Sequence, residues 1–276
     1  MKKTSLFIVI LALISLYTSC TNSLAKLERS NDYNELYNGA IAYYERGKYD
    51  NAKVIFERIF PYYRGSEQAE KIRYYWAYCE YYQGFYQLAA YQFKEFYRTF
   101  GRSPFAEEAQ FMEAYSLYQD APNANLDQAS SEQAVIAMQN FLNRYPASQH
   151  YQEANEIIDE LQVRFETKAY ETAKLYYRLT TGLSYRNYLE AALVTFQAFK
   201  EDYPDSKYNE ELLFLSVETS FKLADNSITN RKKERFDKTI DFYEEFTERF
   251  PDSQYTQEAR TYFERTKKEL NKLKIQ

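Results

Sequence analysis

Ala192-Leu193-Val194-Thr195-Phe196-Gln197-Ala198-Phe199-Lys200-Glu201-Asp202-Tyr203-Pro204-Asp205-Ser206 decides the fold. A small residue is followed by an aromatic four on, another three on and a third four on. Those steps trace one face of an α-helix. Pro204 then stops the helix, having no N–H to continue it. Ser206 supplies a hydroxyl that can accept a bond from an orphan backbone N–H at the start of a following helix. The same frame recurs four times. The other copies are Ala52, Phe56, Ile59, Tyr63, Ser66; Ala89, Phe93, Phe96, Phe100, Ser103; Ala134, Met138, Phe141, Tyr145, Ser148; and Thr239, Tyr243, Phe246, Phe250, Ser253. Five fits to a five-position frame are a repeat, not a coincidence.

A second helical segment precedes each copy. Gly47 to Ala52 and Gly84 to Ala89 read as the turns between, and small residues (Ala40, Ala77) stand twelve before the alanines of the first two copies. Two antiparallel helices with small residues at their crossing and Pro near the end are landmarks of the tetratricopeptide repeat. The expected fold is all-α: a superhelical array of about five such helix pairs, at 33–66, 69–103, 105–148, 168–206 and 209–253, with a capping helix at 255–274. The copies lie 37, 45, 58 and 47 residues apart, so segments are inserted into the simplest 34-residue unit. Asp120 to Ser131 reads as a polar loop. Tyr151 to Tyr177, without Gly or Pro, reads as one long helix. Asp225 to Arg235 reads as a basic, polar loop. Tyr255 to Lys274 is amphipathic, with Lys267, Lys268, Lys272 and Lys274 set against its C-terminal dipole.

The N-terminus is of another kind. Lys2 and Lys3 precede an apolar run from Leu6 to Leu16 that is too short to span a bilayer and suits the h-region of a secretory signal. Cys20 follows directly, in a setting that resembles a lipobox with Tyr17 where Leu is usual. Residues 1–19 are therefore expected to be a signal peptide, and 20–32 a lipidated Cys20 and linker ahead of a repeat domain at 33–276. Removing the signal leaves 33 basic against 40 acidic residues, a formal charge of about −7, which disfavours nucleic acid. The other cysteine, Cys79, sits among Trp76, Ala77, Tyr78 and Tyr82 and is expected to be a buried, inert thiol. Six Gly and six Pro in 276 residues leave few turns, and the rest of the composition suits helices.

No catalytic constellation is present in the sequence, and neither a metal site nor a cofactor site is expected. His150 is the single histidine. The acids are scattered, and Glu107-Glu108 and Glu244-Glu245 read as solvated helix faces. Tyrosine is the unusual feature: residues 62–97 hold ten. Tyr74, Tyr78, Tyr81, Tyr82 and Phe85 form one stripe, with more aromatic surface than one buried face needs. Tyrosine pairs an apolar body with a polar tip and suits interfaces. The first helices of such repeats line the concave face. Tyr37 and Tyr44, with Tyr74, Tyr78, Tyr81 and Tyr82, are thus candidates for a groove that takes an extended peptide.

A lipobox-like Cys20, a short linker, Asn34-Glu35-Leu36-Tyr37 opening the first helix, and endings such as Arg144-Tyr145-Pro146-Ala147-Ser148 together resemble the BamD family of lipoproteins. The resemblance covers nearly the whole mature chain. It implies a non-catalytic component of β-barrel assembly, tethered by Cys20 to the periplasmic face of the outer membrane. It implies a BamA-like barrel subunit, client outer-membrane proteins and accessory lipoproteins as partners. Two other repeat-based classes are the soluble cell-envelope adaptors and the glycan-uptake lipoproteins. Residues 21–36 are too short for the coiled coil of the first, and the second are nearly twice as long.

Overall fold

The computed structural model describes residues 24–180 and 185–273; Cys20 and the expected signal peptide, residues 1–19, lie outside them. Eleven helices follow a short helical turn at 24–28 among the described residues. They are α1 (Tyr33–Glu45), α2 (Tyr49–Tyr63), α3 (Glu67–Tyr82), α4 (Tyr86–Thr99), α5 (Ala106–Asp120), α6 (Ala129–Arg144), α7 (Tyr151–Leu179), α8 (Tyr185–Asp202), α9 (Asn209–Asp225), α10 (Thr229–Arg249) and α11 (Thr256–Leu273). No strand occurs among the described residues, and neighbouring helices pack together as in a tetratricopeptide-like array.

Packing follows the repeated frame. Ala52, Phe56, Ile59, Ala89, Phe93, Phe96, Ala134, Met138, Phe141, Ala192, Thr239 and Phe246 are all fully buried, as are Ala40 and Ala77 at the helix crossings. A side chain larger than alanine at those crossings would hold the paired helices apart. Tyr243 is only partly buried: it packs at the edge of the core, and its ring stacks on Phe263 of α11 at 4.2 Å.

The chain forms two compact units, residues 1–122 with 126–161 and residues 123–125 with 162–276. In the first, Leu36, Ile55, Phe56, Ile59 and Ile72 centre a core to which Tyr37, Tyr44, Tyr75 and Trp76 add partly buried rings. In the second, Ala173, Phe196, Phe199, Leu212 and Phe246 form one cluster, and Phe221, Ala224 and Phe236 a smaller one under Leu270 and Leu273.

Helix ends are closed in two ways. Gly47 and Gly84 adopt φ of 69° and 79° after α1 and α3. At each, two bonds close the end: Gly47 N–H to Tyr44 O with Lys48 N–H to Tyr43 O, and Gly84 N–H to Tyr81 O with Phe85 N–H to Glu80 O. This is the Schellman arrangement, which needs a left-handed residue that glycine adopts without strain. The serine turns close the second helices. Ser103, Ser148, Ser206 and Ser253 accept from the backbone N–H two residues on, at 3.1–3.2 Å. Ser66 instead donates to Tyr63 O at 2.6 Å.

The loop expected between Asp225 and Arg235 is not there. α9 and α10 are joined by 226–228 alone, and the basic stretch from Thr229 is helical. Its charges sit on an outer face while Phe236 and Thr239 are buried. Arg235 bridges back to Glu190 and to Ser227 Oγ, closing the turn.

Candidate peptide-binding surface

The candidate tyrosines all fall in the first unit. Tyr44 of α1 meets Tyr75 at 4.7 Å, Tyr49 at 5.6 Å and Tyr82 at 6.4 Å between ring centroids. Tyr82 stacks on Tyr49 at 4.6 Å and on Tyr78 at 5.7 Å. Tyr81 touches Tyr82, Tyr86 and, from α5, Tyr115. Tyr74 stacks on Phe105 at 4.6 Å and meets Tyr78 edge-on. Tyr37 stands apart from this network, its ring against Tyr63 at 5.9 Å.

Burial divides the stripe. Tyr82 is 50% exposed, and Tyr37, Tyr44 and Tyr81 are half-buried. Tyr74 and Tyr78 are only 7% and 8% exposed. An open position for those two rings is thereby corrected: they are packed between helices. Their hydroxyls explain how. Tyr78 Oη donates to Glu108 Oε1 of α5, and Tyr74 shares the same carboxylate. Glu108 is therefore a partner to buried tyrosines, not simply a solvated face. Glu245 is corrected likewise, taking Lys200 Nζ at 2.8 Å.

Burial raises the hydroxyl pKa throughout, for Tyr37, Tyr44, Tyr74, Tyr78 and Tyr82, and pushes Tyr81 up to about 12. All remain protonated donors at neutral pH. Cys79 beneath them is fully buried, and burial pushes its thiol up to about 12, so it offers no thiolate for chemistry. His150 stacks on Phe111 at 4.1 Å with Nδ1 3.2 Å from Glu153. Tyr49, Tyr75 and Tyr115 complete the aromatic network and escaped sequence reasoning. Tyr75 carried a signal, standing seven residues before Tyr82 and so on its face of the helix. Tyr49 and Tyr115 come from other helices and carried none.

The arrangement is a sheet of rings with protonated hydroxyls, suited to apolar side chains and backbone carbonyls. Among the described residues, no helix is long and apolar enough to cross a membrane.

Stacked antiparallel helix pairs with such a surface define a tetratricopeptide-like repeat protein. The chain belongs to the YfiO family, described as outer membrane lipoprotein, which it matches over residues 29–184 and 182–276. It is also similar to the outer membrane protein assembly factor BamD of Caulobacter vibrioides, at 25% identity over 199 residues. That alignment takes in 71% of this chain and 62% of the relative, less than two thirds of the relative's length.

Proposed function

We propose that the protein is a non-catalytic adaptor in the assembly of outer-membrane β-barrels. It is tethered by lipid on Cys20 after removal of residues 1–19, and holds a BamA-like barrel subunit together with client chains and accessory lipoproteins. The observation that carries this reading is the aromatic sheet of the first unit in a chain of the YfiO family. An extended client segment ending in an aromatic residue would lay its side chains on Tyr44, Tyr82 and Tyr81, with Tyr37 at the margin. Tyr74 and Tyr78, locked to Glu108, would hold that surface in shape.

The test is binding of a labelled peptide from the last strand of a barrel protein, ending in Phe, against the same peptide ending in Ala. Tyr82→Ala and Tyr44→Ala should each weaken the Phe peptide by on the order of 2 kcal/mol, as truncated hot spots do. Equal binding by both peptides and all proteins would sink the proposed site. The anchor has its own test: Cys20→Ser should move the protein from the membrane to the soluble fraction, since anchoring of this type needs more than one chain or signal.

A further inference from the structure

The segment that links the tether to the repeats is fastened to the first helix pair. Leu24 and Leu27 pack on the core of the first unit. Leu27 lies against Gly39 of α1, where a Cβ would collide with its side chain. The guanidinium of Arg58, on α2, donates to Glu28 O and, at 3.1 Å, to Ser30 O. Ser30 Oγ donates to Glu35 at 2.5 Å, and Asp32 caps α1 through Asn34 N–H at 2.8 Å. Between Cys20 and Leu24 stand three residues. Even fully extended, they allow about 14 Å between the lipid-bearing residue and the fastened segment.

One turn beyond Arg58 on the same face of α2 is Tyr62, 62% exposed and stacked on Tyr33 at 3.7 Å with planes 5° apart. Exposed Arg29 and Arg64 adjoin the segment and the helix end. Of the nearby acids, Glu28, Asp32 and Glu35, Asp32 is engaged as the cap of α1 and Glu35 by Ser30. An exposed Tyr62 stacked on half-buried Tyr33, beside the fastened segment that follows Cys20 in the chain and with two cations close in sequence, matches what resides at a lipid headgroup layer. There, tyrosine rings sit between apolar and aqueous phases, and Arg favours anionic lipid.

We infer that Tyr33 and Tyr62, with Arg29 and Arg64, form a membrane-resting surface that orients the first helix pair against the bilayer carrying the anchor. The inference rests on the proposed lipidation of Cys20. Leu27 in its seat at Gly39 is a positioning residue: it converts a lipid leash into a fixed approach.

The experiment uses the full chain purified from membranes, with Tyr62→Cys labelled by an environment-sensitive fluorophore. Cys79 is buried and Cys20 would carry lipid, so the label goes to one site. On vesicles of phosphatidylethanolamine and phosphatidylglycerol, emission should shift to the blue and be lost to a nitroxide on the lipid headgroup. A label at Ile136→Cys, 58% exposed, should show neither change. Adding Leu27→Ala should restore water-like emission at residue 62 while the protein stays bound. The protein's mass reports acylation separately. An acylated chain with a water-like label overturns the surface and leaves the anchor standing, and an unacylated chain overturns both. Protection that comes only with a barrel-bearing membrane extract gives the patch to a protein partner and overturns the lipid assignment. Unchanged quenching in Leu27→Ala overturns the positioning role.

Discussion

Glu218 shows how single residues hold this protein together. It is 8% exposed, yet it accepts from Tyr177 Oη at 2.6 Å and Tyr262 Oη at 3.0 Å and pairs with Lys222 at 2.6 Å. A buried carboxylate is tolerable only with its lone pairs engaged. Burial pushes its pKa up, but the bonds from Lys222 and Tyr177 outweigh that and leave it below the ordinary value. Glu218→Ala should therefore cost about 3 kcal/mol in urea unfolding, because two part-buried hydroxyls lose a charged acceptor. Glu264→Ala, which removes an exposed pair with Lys267, should stay within about 0.5 kcal/mol. The same logic seats Tyr78 on Glu108. Such pairs were not legible in the sequence: the tyrosine stripe was visible, but its acceptor stands 30 residues away, and nothing local says which rings it draws inward.

At the scale of elements, the second helices were the legible part. In Ala192–Ser206 each position of the frame has one physical duty, so pattern and structure coincide. Phe196→Ala tests that duty. The ring is 3% exposed, and its loss should cost about 3–5 kcal/mol, with hydrogen-exchange protection falling most in α8 and the helices packed on it. A change below about 1 kcal/mol would put the register of α8 in error. The start of α10 was misread for an instructive reason. Thr229 to Arg235 carries six charged or amide side chains and no apolar residue, so its periodicity begins only at Phe236. Helix formation there is settled by what lies at either end, namely the Arg235 bridges and the buried Phe236. The glycine turns, in contrast, announced themselves, since Gly47 and Gly84 stand where a left-handed residue is required.

For the whole molecule, the charged pairs impose a pH window. Burial raises the pKa of Glu211 as well, but Lys174 and Tyr170 outweigh it and the net shift is downward. Carboxylates lowered on folding add stability that is complete above their unfolded pKa of about 4.3 and is lost as pH falls through the folded value. Tyr170, Tyr177 and Tyr262 are shifted upward by burial and by the same carboxylates. Their contribution is complete below the unfolded value of about 10 and is lost as pH rises beyond it. Stability measured by chemical denaturation should thus be level between about pH 5 and pH 9 and fall on both sides. Glu218→Gln should flatten the acid limb, and an unaltered limb would remove Glu218 from the explanation. The fastening of residues 24–31 carries a consequence of a different order, a mechanical one. If Cys20 carries the proposed lipid, a pull on it would reach the Leu27 seat and the Arg58 bonds before it reaches any repeat. One seated leucine is worth about 1.5–3 kcal/mol, far less than the core of a helix pair, so the fastening yields first. Eight residues can then straighten to a span of about 26 Å, and the slack released is that length less the distance the folded segment already covers. With that anchor, a jolt between envelope and membrane would be taken up there first, as by a fuse, before the stacked helices behind it are loaded.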